Sequence, residues 1–198
     1  MATDTTRGLL IVFSGPSGCG KGTVVAEILK RRPDTVLSVS VTTRSPRPGE
    51  IDGVHYSFIT KPQFEQMIED NALLEYAQYS GNYYGTPRAA VEQQLEAGKN
   101  VILEIDVQGA LKVMGSCDDY VSVFLTVPSM DELEHRLRGR ATEDEAHLQA
   151  RLQAASFEMA HSDRYQHVIL NDTVADTVDQ FDTLIETEKT RRSRNITE

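Results

Sequence analysis

A glycine-rich segment near the start of the chain constrains the fold more than any other feature. An unalternating apolar run, residues 9–13, is typical of a strand covered on both faces, and it leads directly into this segment. The pattern G-x-x-x-x-G-K extends from Gly15 to Lys21, and the apolar spacing of residues 24–29 predicts a following helix. Glycines let successive N–H groups turn inward, and a helix N-terminus adds partial positive charge. This context predicts a phosphate-binding loop formed by Gly15, Pro16, Ser17, Gly18, Cys19, Gly20, Lys21, Gly22 and Thr23.

Lys21 ends the pattern, and its ammonium group is placed to reach the β- and γ-phosphates of a nucleoside triphosphate. Gly22 stands where such loops usually have the Ser or Thr that ligates Mg²⁺, and the hydroxyl comes one residue later, at Thr23. We therefore assign no residue as a direct metal ligand. Cys19 is interpreted as a small space-filling residue rather than a reactive thiol. The alternative for the whole segment is a strand–helix turn that binds no ligand.

Three further apolar runs predict the rest of a core, at residues 101–103, 121–127 and 167–170. Segments with helical spacing lie between and after them, and strands that alternate with helices form right-handed βαβ units. The chain has 198 residues, which is the size of a single domain. We therefore predict an α/β fold, a P-loop NTPase core in which helices flank a parallel sheet.

Two segments interrupt this alternation. Residues 37–60 alternate polar and apolar side chains around a Pro/Gly-rich turn, which predicts antiparallel strands with one polar face. Residues 139–153 are charged and polar, which predicts a mobile lid. We expect one domain, 1–198, with a core of residues 1–36, 91–128 and 154–198, a β-rich insertion of residues 37–90 and a lid of residues 129–153.

Composition and charge exclude several classes of protein. Lys and Arg number 20 against 30 Asp and Glu, a net charge of −10, which disfavours general binding to the nucleic-acid backbone. Apolar runs fall far short of the ~20 residues that span a bilayer, and residues 1–8 lack the apolar region of a secretory signal. Two cysteines, Cys19 and Cys117, cannot form a disulfide framework. We expect a cytoplasmic protein that binds no membrane, and leave open whether it forms a homo-oligomer.

Two arginines, Arg44 and Arg47, indicate a second anion site beside a proline-constrained turn. On a strand, Ser40, Thr42 and Arg44 would share one face, which would then carry two hydroxyl groups and a guanidinium group. Two guanidinium groups close together can hold a phosphate in bidentate fashion. The alternative is a solvated loop, which is the usual environment of surface arginines.

Four segments, taken in order, resemble the signature of the guanylate kinase family: residues 38–56, 74–77, 81–86 and 105–109. With the glycine-rich loop, the resemblance covers nearly the whole chain. It implies transfer of the γ-phosphoryl group of ATP to GMP, giving ADP and GDP, in purine nucleotide metabolism. It also implies Mg²⁺ as a cofactor, bound mainly through phosphates and water. A general base is not needed, because the attacking phosphate is already largely dianionic at pH 7.

The resemblance also implies a role for each matching side chain. Those matched to catalysis are Lys21, Arg44, Arg140 and Arg151, of which the last two are lid arginines. Those matched to the phosphate of GMP are Arg44, Arg47, Tyr56 and Tyr84. Those matched to the guanine are Ser40, Glu75, Thr86 and Asp106. The residue matched to the adenine-binding loop is Asn171.

A carboxylate at Glu75 suits guanine for a chemical reason. Guanine offers N1–H and an exocyclic amine as donors, whereas adenine offers an acceptor at N1. At the end of the strand that begins at residue 101, Glu104 either holds metal-bound water or pairs with an arginine. Two other functions are less favoured. The intact loop with Lys21 and both lid arginines argue against a binding module of the same fold without catalysis, and Glu75 and Ser40 disfavour a nucleotide kinase for another base.

Overall fold

The computed structural model describes residues 7–139 and 145–195. Its strands, in chain order, are β1 (Leu10–Ser14), β2 (Thr35–Leu37), β3 (Val41–Thr42), β4 (Ser57–Phe58), β5 (Leu73–Tyr79), β6 (Asn82–Pro87), β7 (Asn100–Glu104), β8 (Val121–Thr126) and β9 (His167–Leu170). Its helices are α1 (Lys21–Arg31), α2 (Lys61–Glu69), α3 (Arg88–Glu96), α4 (Val107–Ser116), α5 (Met130–Arg138), α6 (Glu145–Met159) and α7 (Val174–Asn195).

The central sheet has the strand order β2-β7-β1-β8-β9, and each neighbouring pair is parallel. β1 is buried along its whole length, which explains why its sequence does not alternate. Ile11 and Phe13 pack with residues of α1 and α7 on one face of the sheet. Leu10 and Val12 pack with residues of α3 and α4 on the other face. The predicted α/β fold, a parallel sheet flanked by helices, is confirmed.

The carboxyl ends of two neighbouring strands position the functional groups. β1 ends at Ser14 and continues into the glycine-rich loop, which ends where α1 begins. The neighbouring strand β7 ends at Glu104, and Asp106 follows as the N-cap of α4. Phe13 lies opposite Glu104 in the register of the two strands. The loop and both carboxylates therefore lie at one edge of the sheet, where α/β proteins bind ligands.

A second sheet, with the order β4-β3-β6-β5, lies within the segment predicted to be β-rich. The prediction that residues 37–60 form antiparallel strands was wrong, because β3 and β4 pair in parallel. The antiparallel neighbour of β3 is β6, which lies outside that segment. The connection between β3 and β4, residues 43–56, is long enough for the crossover that parallel strands need.

The predicted polar face of Ser40, Thr42 and Arg44 was also wrong. β3 contains only Val41 and Thr42, so the three residues do not share a strand. Thr42 is fully buried, and its hydroxyl group donates to the carbonyl oxygen of Tyr83. The same hydroxyl group accepts from the N–H of Arg44. Thr42 therefore stabilises the turn that precedes Arg44, and its buried hydroxyl group is not part of an exposed polar face.

The helices outside the central sheet follow from local signals. Thr60 and Gln63 form a capping box at the start of α2, and Phe64 of that helix is fully buried beside the second sheet. Leu133 of α5 and Leu148 of α6 pack into the same cluster as α1 and α7. In the part of the chain that the structure describes, no helix combines the length and the apolarity needed to cross a membrane.

Candidate active site

Two glycines fix the course of the glycine-rich loop. At Gly15 φ is +153°, and a Cβ atom there would lie 2.2 Å from the carbonyl oxygen of Leu125 in β8. At Gly20, the N-cap of α1, φ is +96°, and a Cβ atom would lie 2.6 Å from Nδ2 of Asn171. Other residues are strained in this backbone region and would also collide with these neighbours. The sequence pattern therefore determines the shape of the loop.

Lys21 lies half-buried in the first turn of α1, and its ammonium group donates to the carbonyl oxygens of Gly15 and Pro16. A crevice of about 470 Å³ lies over the loop. Its lining residues are Ser17, Gly18, Gly20, Lys21, Gly22, Thr23 and Glu104. Backbone N–H groups at a helix N-terminus attract anions. Together with the ammonium group, they make this crevice suitable for the phosphates of a nucleotide.

Glu104 supplies the negative charge of this crevice. Its Oε1 lies 3.9 Å from the position that a Cβ atom at Gly22 would take, so the carboxylate lies beside the start of α1. Burial raises the pKa of Glu104, and the nearby charge of Lys21 opposes this rise. Of the two interpretations of Glu104, its position beside the loop favours the one in which it holds metal-bound water.

Asn171, which follows β9, is buried against the loop. Its Nδ2 donates to the carbonyl oxygen of Cys19 at 2.6 Å, and its Oδ1 accepts from the hydroxyl group of Thr177 at 3.0 Å. Arg136 of α5 donates to the carbonyl oxygens of Asn171 at 3.1 Å and Cys19 at 3.5 Å. Cys19 is fully buried, and burial raises the pKa of its thiol. The Asn171 amide thus stabilises the loop, a use that the sequence did not predict.

Helix α6 contacts the loop through two side chains that lie two helical turns apart. An Nη2–H group of Arg151 donates to Oγ of Ser17 at 2.8 Å. The backbone N–H of the same Ser17 donates to Oε2 of Glu158 at 3.2 Å. Glu158 is half-buried, and burial raises its pKa. One face of α6 therefore presents a cation and an anion to a single residue of the loop.

Arg44 holds a carboxylate in the second anion site. Its Nη1 and Nη2 groups donate to the two carboxylate oxygens of Glu50, both at 2.9 Å. The guanidinium carbon lies 5.3 Å from the ring centroid of Tyr56. Hydrogen bonding to Arg44 lowers the pKa of Glu50 to about 2. This pair shows the parallel two-bond geometry with which a guanidinium group also binds phosphate.

Tyr56 and Tyr84 complete the surroundings of Arg44. Their ring centroids are 6.0 Å apart, with the edge of one ring toward the face of the other. The pKa of Arg44 lies above its ordinary value, because Glu50 and then the hydroxyl group of Tyr84 favour the charged guanidinium. The structure therefore brings together three of the four residues matched to the phosphate of GMP.

Arg47 and Ser40 lie at the margins of this group. Arg47 is exposed, and its backbone N–H donates to Glu50 at 2.7 Å. Ser40 is half-buried, and its carbonyl oxygen accepts from the N–H of Ser57 at 2.9 Å. Glu50 thus bonds to both arginine positions, through the side chain of Arg44 and the main chain of Arg47.

Glu75 of β5 is a buried carboxylate beside Thr86 of β6 and the N-terminus of α4. The hydroxyl group of Thr86 donates to Oε1 of Glu75 at 2.7 Å. Burial raises the pKa of Glu75, and the charge of Asp106 raises it further. Asp106 is exposed, and its Oδ1 accepts from the N–H of Gly109 at 2.7 Å. Three residues matched to guanine therefore lie together, although they belong to three different elements.

The glycine-rich loop and the residues matched to GMP lie within electrostatic range of each other. Burial raises the pKa of Tyr56, and the carboxylate of Glu104 adds to this rise, so these two groups lie within electrostatic range. The charges of Lys21 and Asp106 likewise act on the pKa of Glu158, where burial is the largest cause of the shift. Arg140 lies outside the residues that the structure describes.

Two charged groups of this site were not predicted from the sequence. Glu50 lies six residues after Arg44 in the same Pro/Gly-rich turn, and that spacing offered a weak signal for an ion pair. Glu158 lies beyond the predicted lid, seven residues after Arg151, which places both on one helical face. Extending the helical pattern of the lid by two turns would have found it.

The sequence is similar to the sequences of known guanylate kinases. The family model described as guanylate kinase matches residues 7–188. A guanylate kinase of Desulfitobacterium hafniense (strain Y51) is 49% identical over 191 residues, which cover 96% of each chain. A guanylate kinase of Bacillus subtilis (strain 168) is 50% identical over 190 residues, which cover 95% of this chain and 93% of that one.

A solved structure shows the same likeness in three dimensions. The guanylate kinase from Anaplasma phagocytophilum has a TM-score of 0.73 and 34% sequence identity to this chain. The match covers 92% of this chain and 87% of the other. The resemblance drawn from the sequence motifs is confirmed, and the chain belongs to the guanylate kinase family.

Proposed function

We propose that this member of the guanylate kinase family transfers the γ-phosphoryl group of ATP to GMP by positioning and charge neutralisation, without a general base. The reaction brings two polyanions together, so the groups that hold phosphates supply most of the catalysis. One observation supports this most strongly: Glu104, at the end of β7, lines the crevice over the glycine-rich loop, and Asp106, which follows the same strand, acts on the buried carboxylate of Glu75. GMP and ATP are the substrates of this proposal.

ATP binds with its β- and γ-phosphates in the crevice over the glycine-rich loop. The N–H groups at the start of α1 and the ammonium group of Lys21 then neutralise the phosphate charge. Arg151 lies on Ser17 at the margin of this crevice and can exchange that contact for a phosphate oxygen. Arg140 joins it in this proposal through the family resemblance. The lid thereby adds positive charge where the transition state gathers negative charge.

The phosphate of GMP binds in the fork of Arg44. Glu50 occupies this fork with the two-bond geometry that a phosphate requires. Tyr56 and Tyr84 lie within reach of the same guanidinium group and can donate hydroxyl hydrogen bonds to the phosphate. Arg47 is exposed nearby and supplies a second positive charge. Held in this way, the phosphate is a ready nucleophile, because it is largely dianionic at pH 7.

Glu75 selects guanine by accepting from N1–H and the exocyclic amine. Its Oε1 is held by Thr86, so the orientation of the carboxylate is fixed before the base arrives. Burial makes the unpaired carboxylate costly, and the donors of guanine satisfy it, whereas the N1 lone pair of adenine would repel it. Sites of this kind discriminate by about 10⁴-fold or more. Ser40 and Asp106 lie at the same end of the cleft in this proposal.

Mg²⁺ fits this site if it binds mainly through phosphates and water. Within residues 7–139 and 145–195, no group of three or more His, Cys, Asp and Glu side chains could hold a metal ion by itself. Glu104 and Thr23 line the crevice, and their oxygen atoms are suited to hold metal-bound water. Mg²⁺ retains several waters in nucleotide sites of this kind and neutralises charge on the phosphates when it is bound.

A coupled assay of ADP release tests the proposal. The purified chain receives ATP and Mg²⁺ with GMP, AMP, UMP, CMP or dTMP as acceptor. We expect turnover with GMP and at least about 10⁴-fold lower kcat/KM with AMP. Equal rates with AMP and GMP would contradict the proposal that the acceptor site selects guanine. Absence of turnover with every acceptor would indicate a binding module that has lost catalysis.

A further inference from the structure

Gly109 lies in the first turn of α4 and its backbone does not require glycine. The helix extends over Val107–Ser116, and Gly109 is not among the residues with positive φ. Its N–H donates to the capping carboxylate of Asp106 at 2.7 Å, a bond that any residue except proline could make. Because glycine is a poor helix former, a side chain here would favour the helix. The reason for glycine must therefore lie outside the helix.

A Cβ atom at Gly109 would lie against both carboxylates of the guanine site. It would be 3.0 Å from Oε2 of Glu75 and 3.4 Å from Oδ1 of Asp106. The other oxygen of Glu75 is held by Thr86 at 2.7 Å, and the residue is only 8% exposed. Glu75 would have to move away from the helix, and the oxygen that would move is the one that Thr86 does not hold.

We propose that Gly109 is a specificity-determining positioning residue for guanine. The missing side chain lets the Glu75 carboxylate lie against the first turn of α4, beside Asp106. A methyl group at this position displaces Oε2 and leaves the phosphate-binding groups where they are. This inference rests on the proposed guanine contact of Glu75, and it adds the reason why that carboxylate has its orientation.

The same helix provides a matched control. Gly115 also lies in α4, and a Cβ atom there would meet nothing within 4 Å. Gly109→Ala and Gly115→Ala therefore give the same gain in helix propensity. They differ in the one property that matters, which is contact with Glu75. A loss caused by any alanine in this helix would appear in both variants.

Steady-state kinetics of the two variants, with GMP and ATP varied separately, test the inference. We expect Gly109→Ala to raise the KM for GMP about tenfold or more and to leave the KM for ATP within twofold of the wild type. Circular dichroism should show an unchanged fold. Gly115→Ala should match the wild type in each measurement. The inference is overturned if Gly109→Ala keeps its GMP kinetics, or if it affects GMP and ATP equally.

The variant Glu75→Gln separates this inference from the proposed function. If Glu75→Gln keeps selectivity for GMP over AMP, the proposed guanine contact itself is wrong. If Glu75→Gln loses selectivity and Gly109→Ala does not, only the inference about Gly109 is wrong. In the double variant we expect no loss beyond that of Glu75→Gln alone, because both changes act on one contact. Additive losses would show that Gly109 acts elsewhere.

Discussion

The two proposed anion sites of this molecule differ in the groups that form them, which are main-chain N–H groups in one and side chains in the other. In the proposed function, the glycine-rich loop binds phosphates through backbone N–H groups of one continuous segment, and the Asn171 side chain supports this segment by donating to the carbonyl oxygen of Cys19. The proposed acceptor site consists of side chains that lie on separate elements, such as Arg44 after β3 and Glu75 on β5. In the first site the main chain determines the geometry, and in the second the contacts between elements determine it.

This difference predicts how each site responds to substitution. In the loop, a side chain matters where it carries charge to the phosphates or braces the main chain. In the acceptor site, each side chain is itself a binding group, so a change should alter substrate selectivity before it alters stability. The predictions that follow test this contrast, beginning with the largest expected effect.

Replacing Lys21 by Met should lower kcat by about 10³-fold or more, because the charge beside the transferred phosphate is lost. The thermal midpoint should change little, since the ammonium group bonds to carbonyl oxygens at the edge of a solvent-accessible crevice. Lys30→Met is the control, because Lys30 lies exposed at the other end of α1. A Lys21→Met enzyme with more than a tenth of wild-type kcat would contradict the proposed role.

Replacing Asn171 by Ala should lower the free energy of unfolding by about 1–3 kcal/mol, because it leaves a buried carbonyl oxygen and a buried hydroxyl group without this partner. The KM for ATP should rise, whereas the KM for GMP should stay near that of the wild type. Urea titration and steady-state kinetics measure the two effects. Thr177→Val removes a hydroxyl group that contacts Asn171 Oδ1 and the carbonyl oxygens of Thr173 and Leu170, but it keeps the bond from Asn171 to Cys19. Its KM for ATP should therefore stay nearer the wild-type value than that of Asn171→Ala.

Replacing Glu158 by Ala should raise the KM for ATP about fivefold, the effect of losing one hydrogen bond to the Ser17 N–H. Glu158→Gln keeps an acceptor at the same place and should recover most of this loss. If Glu158 instead competes with the nucleotide for that N–H, Glu158→Ala would bind ATP more tightly. Isothermal titration calorimetry with ATP distinguishes weaker binding from tighter binding of the nucleotide.

The smallest expected effect is a pH-dependent difference in thermal stability between the wild type and Glu75→Gln. Burial raises the pKa of Glu75, so the folded chain holds this proton at pH values where the unfolded chain has released it. The wild type therefore loses stability as pH rises through that range, and Glu75→Gln does not. The thermal midpoint of Glu75→Gln relative to the wild type should increase between pH 4 and pH 7. A constant difference would mean that Glu75 titrates normally.

The sequence predicted the glycine-rich turn between β1 and α1 because the determinants of this turn are local. The strand, the glycines and the start of α1 follow one another along the chain, so the pattern and its context could be recognised together. The central sheet was equally predictable from the sequence, since fully buried strands such as β1 do not alternate between polar and apolar residues. These features depend on neighbours in sequence and need little knowledge of tertiary contacts.

The geometry of the acceptor side was harder to predict from the sequence, because it depends on tertiary contacts. The family resemblance identified Arg44 and Glu75, but the spacing of Glu50 from Arg44 gave only a weak signal for the ion pair between them. Strand parity failed at Thr42, since β3 has only two residues and pairs in parallel with β4. Gly109 lies in residues 105–109, one of the segments that resemble the family signature. Its significance, however, depends on the carboxylate of Glu75, which belongs to the second sheet.

The central claim is that one buried carboxylate on the acceptor side determines which base is phosphorylated. The most direct test is the ratio of kcat/KM for GMP to kcat/KM for AMP, measured for the wild type and for Glu75→Gln at pH 7. We predict that the ratio falls by about 10²-fold or more in Glu75→Gln, with the KM for ATP unchanged. An unchanged ratio, in a protein that remains folded, would contradict the account.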